Sequence, residues 1–361
     1  MSGDRMFIID GHLDLAMNAI QVNRDLTQPA TTVRTHDPEP VMRSFGSCTV
    51  TFPELQAGRV YIVFGTVISR LDPYDNWMRI GMYSQEQCYG IAQGHLAYYR
   101  AMEREGVIHL VRDLTDLDIV LNAWNDRSVS APIGLVVCME CADPILDPDQ
   151  IFEWYEQGVR VVGLSHYGVG RYSHGTGTEG GLLPVGKELL RTFEKTEIIV
   201  DMTHLTDRAF WEVLEVYNGP IIASHQNCRS LVPGQRQLSD KMIKAIAERG
   251  GVIGTALDVW MLDSKWAREI PAYEQTTTAT LETVVDHIDR IVELVGNTKH
   301  CAIGSDLDGG FGAEQSPRDI NTIANLQQLP GILADRGYRE EEVRGILSEN
   351  WISLLKNTWA T

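Results

Sequence analysis

The chain has 361 residues, 43% of them hydrophobic and 22% charged, so it is long enough and apolar enough to bury a large core. Acidic residues outnumber basic ones by 49 to 31, which gives a formal net charge of −18, and no stretch is rich in Lys and Arg. Nucleic acids and anionic membranes bind proteins through clustered basic residues, so this composition argues against both as partners.

Short apolar runs bounded by turn residues recur eight times along the chain. They are apolar on both faces, which is the pattern of strands in a parallel sheet. The runs are MFIID (6–10), RVYIVFG (59–65), IGLVVCM (133–139), VRVVGLS (159–165), EIIVDMT (197–203), PIIAS (220–224), GVIGTA (251–256) and HCAIGS (300–305).

Helical patterns lie between these runs. The clearest covers residues 281–295, where apolar side chains recur at helical spacing along one stripe. Four others begin at a residue whose side chain can cap a helix N-terminus. They start at Ser84, Asp147, Thr206 and Ser239 and run to about residues 104, 158, 217 and 249.

This alternation of strands and helices predicts an α/β fold. Eight parallel-type strands favour a (β/α)8 TIM-type barrel over an open doubly wound sheet, in a single domain that covers residues 1–361. Long insertions follow strands 1 and 2, roughly at 17–58 and 69–132. We expect the insertions to form walls of the site or a dimer surface.

Polar residues follow six of the eight predicted strands, at the end where barrels carry their chemistry. They are His12, Asp14, Glu140, His166, His204, His225 and Asp306. His12 and Asp14 are two residues apart, so an extended strand would direct both side chains to the same face. A single strand-end histidine is compatible with a structural role, but crowded carboxylates among imidazoles indicate a site for divalent metals such as Zn²⁺.

Other motif matches are weaker. CMEC (138–141) resembles a redox or zinc pair, but it lacks a second pair and Cys138 closes an apolar run, so we expect a buried thiol. GTGTEGG (175–181) fits a dinucleotide fingerprint formally but begins too far beyond its strand, which favours a flexible substrate-facing loop. The remaining histidines lie in loops, on helices or at strand starts and are expected outside the site: His36, His95, His109, His174, His287 and His300.

The chain ends and the cysteines predict a cytoplasmic location. The N-terminus lacks the succession of a signal peptide, the C-terminus lacks a hydrophobic tail, and no apolar run approaches membrane-spanning length. Six cysteines are few for this length, which fits a reducing compartment. We therefore expect a protein without a membrane anchor.

Four motifs in fixed order point to a known family. They are DGHLDLA (10–16), GKELLRTFEKTEIIVDMTHLTD (186–207), IIASHQNCR (221–229) and IGSDLDGG (303–310). Together they resemble the membrane dipeptidase (renal dipeptidase) family of zinc metallopeptidases, in the amidohydrolase superfamily. The resemblance runs from about residue 6 to 355 and implies a barrel of the metal-dependent hydrolase kind, a dipeptide substrate and a homodimer.

The resemblance implies a role for each site residue. It implies two divalent metal ions, which are Zn²⁺ in that family. One ion would bind to His12 and Asp14, and the other to His204 and His225. Glu140 would bridge the two ions, and a metal-bridging hydroxide would attack the peptide bond.

The same resemblance makes Asp306 the proton shuttle and His166 the residue that contacts the substrate carbonyl. Arg236 would hold the terminal carboxylate of the substrate or the reaction intermediate, and Arg229 is the alternative residue for this role. The chain departs from the family pattern at Cys141, where a glycine is usual, and in HLDLA, where HNDLP is usual.

Two other functions are compatible with the same motifs. A binuclear amidohydrolase could act on N-acyl amino acids, lactams or cyclic amides, because a metal centre activates water without choosing the amide. A non-catalytic metal-binding protein could retain the ligands. The presence of Asp306, His166 and Arg236 beside the ligand set favours the dipeptidase, with acceptance of a D-residue at the C-terminal position as a further expectation.

Overall fold

The computed structural model describes residues 6–72, 80–125 and 131–360. Eight parallel strands form its core, and every residue in them is buried. They are β1 (Ile8–Leu13), β2 (Val60–Val67), β3 (Ile133–Met139), β4 (Val159–Gly163), β5 (Ile199–Asp201), β6 (Ile221–Ala223), β7 (Val252–Thr255) and β8 (Cys301–Ile303).

Each of these strands pairs in parallel with its neighbours in chain order, and β8 pairs with β1 through Asp10 and Ile303. The sheet is therefore closed, and the predicted (β/α)8 barrel is confirmed. Strand Ile108–Leu110, which the sequence pattern did not predict, pairs in parallel with the start of β3 beside the barrel.

The helices surround this barrel. They are α1 (Leu15–Ile20), α2 (Ala30–His36), α3 (Glu39–Phe45), α4 (Phe52–Ala57), α5 (Gln85–Arg104), α6 (Leu114–Asn125), α7 (Ile151–Glu156), α8 (Pro184–Phe193), α9 (Asp207–Val216), α10 (Asp240–Glu248), α11 (Leu281–Val295), α12 (Leu329–Asp335), α13 (Glu340–Arg344) and α14 (Asn350–Trp359). None of the helices in the described ranges combines the length and apolarity needed to cross a membrane.

The predicted helix starts are confirmed by their hydrogen bonds. Ser84 forms a capping box with Gln87, and the hydroxyls of Thr206 and Ser239 accept from backbone N–H groups of the first turn. Asp147 also caps its segment, because its side chain accepts from the backbone N–H groups of Asp149 and Gln150. The first turn of that segment, Pro148–Gln150, is a 3-10 helix that leads into α7.

The first strand differs from its predicted bounds. The apolar run predicted residues 6–10, whereas β1 extends to Leu13 because it continues to pair with β2 as far as Gly65. His12 is therefore part of the strand, and Asp14 is the first residue beyond it.

The first insertion is held to the barrel mouth by Asp308. The Asp308 carboxylate accepts hydrogen bonds from the backbone N–H groups of Thr49 and Val50, both at 2.9 Å, and lies 3.8 Å from the Arg24 guanidinium. The second aspartate of DLDGG thus anchors the wall of the site, while the first aspartate faces into it.

His95 on α5 packs in the interior as a neutral ring. Ile68 N–H donates to His95 Nδ1 at 3.3 Å, so the ring proton is on Nε2, which lies 2.9 Å from Gln21 Oε1. Burial lowers the pKa of His95 from its ordinary value of 6.5 to about 4. His95 is not among the residues that line the pocket at the barrel mouth or form the candidate metal-binding groups.

The low pKa of His95 makes the stability of the folded protein sensitive to acid. Below pH 6.5 His95 is protonated in the unfolded chain, whereas in the folded chain its ring stays neutral until about pH 4. The free energy of unfolding therefore falls as the pH is lowered across this window. We expect His95→Gln to reduce the loss of unfolding free energy between pH 7 and pH 4 by about 3 kcal/mol.

Urea unfolding measured at several pH values checks this expectation. The exposed His36 provides the matched variant, because His36→Gln should leave the acid dependence of stability as in the unmodified protein. A His95→Gln protein whose stability falls with acid as steeply as before would contradict the assignment.

Candidate metal centre and active site

The predicted site residues converge on Glu140, which follows β3 at the mouth of the barrel. Glu140 Oε1 lies 3.5 Å from Nε2 of His12, of His166 and of His204. Nε2 of His225 is 3.6 Å from the same oxygen. All five side chains are buried. One carboxylate therefore faces four imidazole rings, each through the same ring nitrogen.

Asp14 and Asp306 complete this cluster from the adjacent strands β1 and β8. Asp306 Oδ1 lies 3.8 Å from His12 Nε2, and Asp14 accepts a hydrogen bond from the Thr66 hydroxyl. Candidate ligand atoms within 4.8 Å of one another form three groups: His12, Asp14 and Glu140; Glu140, His204 and His225; and His12, His225 and Asp306. The structure thus brings together all five residues predicted as metal ligands, with Asp306 beside them.

A chain of hydrogen bonds fixes which nitrogen of His225 faces the site. Ser224 Oγ donates to Asp201 Oδ2 at 2.5 Å, so it accepts from His225 Nδ1 at 2.8 Å. The ring proton of His225 is therefore on Nδ1, and Nε2 presents a lone pair to the site. The close packing here needs Gly304, where a Cβ would lie 1.7 Å from the Ser224 carbonyl oxygen.

Thr176, in the GTGTEGG loop, orients His204 in a similar way. Its hydroxyl donates to the His204 carbonyl oxygen at 3.2 Å and lies 3.1 Å from His204 Nδ1. Nε2 of His204 then also presents a lone pair, only 3.3 Å from Nε2 of His225. Two such lone pairs repel each other unless a cation accepts both, so the donors fit a divalent metal ion. The loop predicted to face substrate contacts a predicted ligand instead.

Unpartnered atoms lead to the same conclusion. Among the described residues, Glu140 Oε2 and His12 Nε2 are buried and have no hydrogen-bond partner in the protein. Buried polar atoms of folded proteins nearly always have a partner, and a bound ion is one way to supply it. Imidazole nitrogens and carboxylate oxygens are the donors that Zn²⁺ and similar ions bind.

Electrostatics give the members of the cluster different charges. Burial opposes ionisation of Glu140, but electrostatic attraction to His12 and His166 and hydrogen bonding to His12 hold the pKa of Glu140 well below its usual range. Burial lowers the pKa of His166 to about 3 and places the pKa of His204 and His225 well below the ordinary value. These rings are neutral at physiological pH, which is the form that binds metal.

Two of the strand-end residues have an unusual backbone. His204 and Asp306 have φ angles of 66° and 60°, in the left-handed region that residues other than glycine rarely adopt. Such backbone strain persists only where the surrounding structure enforces it, and it concentrates at functional sites. Here it accompanies sharp turns directly after β5 and β8, at the barrel mouth.

The two candidate arginines have different environments. Arg229 donates two hydrogen bonds to the carboxylate of Asp207, at 2.7 and 2.6 Å, and others to backbone carbonyl groups. Arg236 is 3% exposed and lines the same pocket as Glu140 and His166. Its Nη2 donates to the His225 carbonyl oxygen at 3.1 Å, whereas its Nη1 has no partner among the described residues. Arg236 therefore has a free donor for an anion, and Arg229 is already paired.

The sequence patterns did not indicate the site residues that come from the two remaining strands, β2 and β7, and the segments after them. Thr66, in β2, hydrogen-bonds Asp14, and Asp258, three residues beyond β7, lines the pocket. The pocket is also lined by Tyr167 and by Arg268, whose guanidinium lies 4.3 Å from the ring centre of Trp260. A search of every strand end for acidic residues would have found Asp258. The sequence carries no comparable signal for Thr66 or Arg268.

The pocket over the cluster is small, at about 70 Å³, and it adjoins a larger chamber of about 540 Å³. The two share Arg268, Phe311 and Gln315 in their walls. Residues 42–46 of the first insertion form one side of the chamber, and residues 266–273 form another. Residues 42–46 of the first insertion thus form part of a wall next to the site, which is one of the two roles expected for the insertions.

Comparison with known proteins gives the family. A family model described as membrane dipeptidase (peptidase family M19) matches residues 3–360. An uncharacterized protein in the pqqA 5' region of Klebsiella pneumoniae is 29% identical over 57% of this chain and 74% of its own length. Dipeptidase tcpJ of Claviceps purpurea is 27% identical over 56% of this chain and 45% of its own length. For several curated relatives the match spans about half of their length.

Solved structures share the fold. A metallo peptidase from Rhodobacter sphaeroides, liganded with a phosphinate mimic of the dipeptide L-Ala-D-Ala, has a TM-score of 0.79 and 22% identity, over 99% of this chain and 100% of that chain. Dipeptidase AC, a metallo peptidase of family M19, has a TM-score of 0.77 at the same identity and coverage. The family model covers nearly all of this sequence, and the chain therefore belongs to the membrane dipeptidase family, peptidase family M19.

Proposed function

We propose that this protein hydrolyses the peptide bond of dipeptides with the help of two divalent metal ions, most simply Zn²⁺. The observation that carries the proposal is the position of Glu140, a buried carboxylate surrounded by four imidazoles, in the same pocket as the free guanidinium nitrogen of Arg236. The first feature fits activation of water, and the second fits a small substrate with a carboxylate close to the bond that breaks.

The ligand groups divide into two sets that share Glu140. His12 and Asp14 would hold one ion with Glu140, and His204 and His225 would hold the other. When bound, the ions supply Lewis acidity that lowers the pKa of water and polarises the scissile carbonyl. The hydroxyls of Ser224 and Thr176 keep the imidazole nitrogens turned toward the ions.

Arg236 and His166 would orient the substrate. The planar guanidinium of Arg236 can donate to the terminal carboxylate of a dipeptide, since its Nη1 has no protein partner among the described residues. His166 has a neutral ring, because burial lowers its pKa to about 3, so it would contact the scissile carbonyl as a hydrogen-bonding group and not as a cation.

Asp306 would move a proton to the leaving amine. Burial raises the pKa of Asp306 well above its ordinary value, and the charges of Asp14 and Glu140 add to this effect against the attraction of His12. A carboxyl group whose pKa is raised in this way binds a proton more readily and can donate it to the nitrogen of the departing residue. Asp306 lines the pocket, within reach of a group bound there.

The stereochemistry of the substrate belongs to the proposal as well. We propose that a D-residue is accepted at the C-terminal position, supported by the likeness to the Rhodobacter sphaeroides enzyme that binds a mimic of L-Ala-D-Ala. The adjoining chamber of about 540 Å³ offers room for a larger side chain on one of the two residues.

A substrate panel tests the proposal. Metal-loaded protein should hydrolyse dipeptides with L- or D-residues at the C-terminal position faster than N-acetyl amino acids, lactams or cyclic amides. Release of free amino acids, measured by chromatography before and after treatment with a chelator, gives the result. Turnover of N-acyl or cyclic amides without dipeptide hydrolysis would favour the other binuclear hydrolases of the superfamily.

Replacement of Asp306 tests the proton transfer. We expect Asp306→Asn to lower kcat for dipeptides about 10²- to 10⁴-fold, because the amide has no acidic proton to give. Metal content by elemental analysis should stay as in the unmodified protein. Unchanged kcat in a correctly loaded variant would rule out Asp306 as the shuttle.

Replacement of Arg236 tests carboxylate recognition. Arg236→Met should lower kcat/KM for free dipeptides about 10- to 100-fold through loss of a charge-assisted hydrogen bond. Dipeptide amides, which lack the carboxylate, should lose much less. Arg229→Met is the matched control, because Arg229 is already paired with Asp207. A larger selective loss in the Arg229 variant would reverse the assignment.

Replacement of Ser224 tests the support of the metal ligands. Ser224→Ala removes the hydroxyl bonded to His225 Nδ1, so metal affinity should fall about 10- to 100-fold. Titration of metal against a competing chelator measures the change. The buried Ser173, whose hydroxyl donates to the His174 carbonyl oxygen, is the control, and Ser173→Ala should retain affinity. Equal affinities for both variants would show that Ser224 does not support the site.

A further inference from the structure

Asp258 is a buried carboxylate that lines the pocket and has no role in the proposed function. It is 6% exposed and lines the pocket with Glu140, Arg236 and Asp306. Asp258 Oδ1 accepts a hydrogen bond from Gln315 Nε2 at 2.9 Å and a longer one from the Trp260 N–H at 3.3 Å. The carboxylate is therefore fixed in place by its surroundings.

In the part of the chain that the structure describes, no oppositely charged side chain is in contact with the carboxylate of Asp258. No nitrogen of a Lys, Arg or His side chain in residues 6–72, 80–125 or 131–360 forms an ion pair with it within 4.0 Å. The charge of Arg268 attracts Asp258 and lowers its pKa, but the Arg268 guanidinium forms no ion pair with it and packs on the rings of Trp260 and Tyr167, at 4.3 and 5.2 Å from their centres. A buried charge is costly unless a partner compensates it, so a cationic group of a ligand is a fitting partner.

The other carboxylates of the pocket already have partners. Glu140 is surrounded by imidazoles, Asp14 accepts from the Thr66 hydroxyl, and Asp306 lies beside His12. Asp258 comes from β7, a strand that contributes nothing to the histidine cluster, and it contacts Gln315 and Trp260 instead. Asp258 is thus the pocket carboxylate to which the proposed function gives no role.

We infer that Asp258 binds the α-ammonium group of the substrate, so that the enzyme selects dipeptides with a free N-terminus over their N-acyl or deaminated counterparts. The inference rests on the proposed dipeptidase function and specifies its substrate class. With Arg236 for the carboxylate and Asp258 for the ammonium group, both charges of a zwitterionic dipeptide are paired in one small pocket. Burial raises the pKa of Asp258 to about 6, which leaves the carboxylate ionised at neutral pH.

A cycle of enzyme and substrate variants tests the inference. Alanyl-alanine and propionyl-alanine differ only in the ammonium group, and their kcat/KM values are measured with the metal-loaded protein and with Asp258→Asn. The asparagine retains the shape and an oxygen for Gln315, but not the charge. We expect the preference for alanyl-alanine to fall about 10- to 100-fold in the variant, with hydrolysis of propionyl-alanine nearly unchanged.

Two further variants control for indirect effects. Asp263 lies on the same segment but outside the pocket, and its carboxylate accepts hydrogen bonds from the Lys265 N–H and the Thr277 hydroxyl. Asp263→Asn should preserve the preference for alanyl-alanine. Asp258→Ser also removes the charge, with a different side chain. It serves as the test if the asparagine variant does not fold, and it should show the same loss of preference for alanyl-alanine.

The outcomes separate this inference from the proposed function. An equal loss on both substrates in the Asp258 variants, or no change in the preference, would overturn the role of Asp258 alone. Equal hydrolysis of the two substrates by the unmodified protein would do so as well. Failure of the unmodified, metal-loaded protein to hydrolyse any dipeptide would overturn the proposed function and, with it, the inference that rests on it.

Discussion

The central constraint on this structure is the burial of one carboxylate, Glu140, among four imidazoles whose Nε2 atoms lie 3.5 to 3.6 Å from a single oxygen. The described protein groups do not satisfy this arrangement, because Glu140 Oε2 has no partner among them and the lone pairs of His204 and His225 face each other at 3.3 Å. Cations between the ligands remove both problems. The neighbouring hydroxyls and the left-handed turns serve to hold this otherwise unfavourable cluster in place.

The barrel explains how residues far apart in the sequence meet at Glu140. Closure of the sheet brings the carboxyl ends of all eight strands to one rim, and every strand or the loop directly after it adds a group there. Six supply the histidines and carboxylates, β2 supplies Thr66, and the segment after β7 supplies Asp258. The cluster at one side of the pocket would activate water, while Arg236 and Asp258 would recognise the two charged ends of a substrate.

Much of this was predictable from the sequence, since apolar runs mark buried parallel strands and each run ends where a polar residue must face the mouth. The extension of β1 to His12 could not be predicted from the sequence, because it depends on pairing with β2. Ser224 and Thr176 act through contacts made only after folding, and no local pattern distinguishes them from other hydroxyl residues. Spacing alone left Arg229 and Arg236 as competitors, whereas the pairing of Arg229 with Asp207 separates them.

The most direct test of the central claim is anomalous diffraction from crystals of the metal-loaded protein, recorded on both sides of the metal absorption edge. We expect two anomalous peaks, with Glu140 bound to both, His12 and Asp14 at one, and His204 and His225 at the other. A single peak, or peaks that Glu140 does not join, would contradict it.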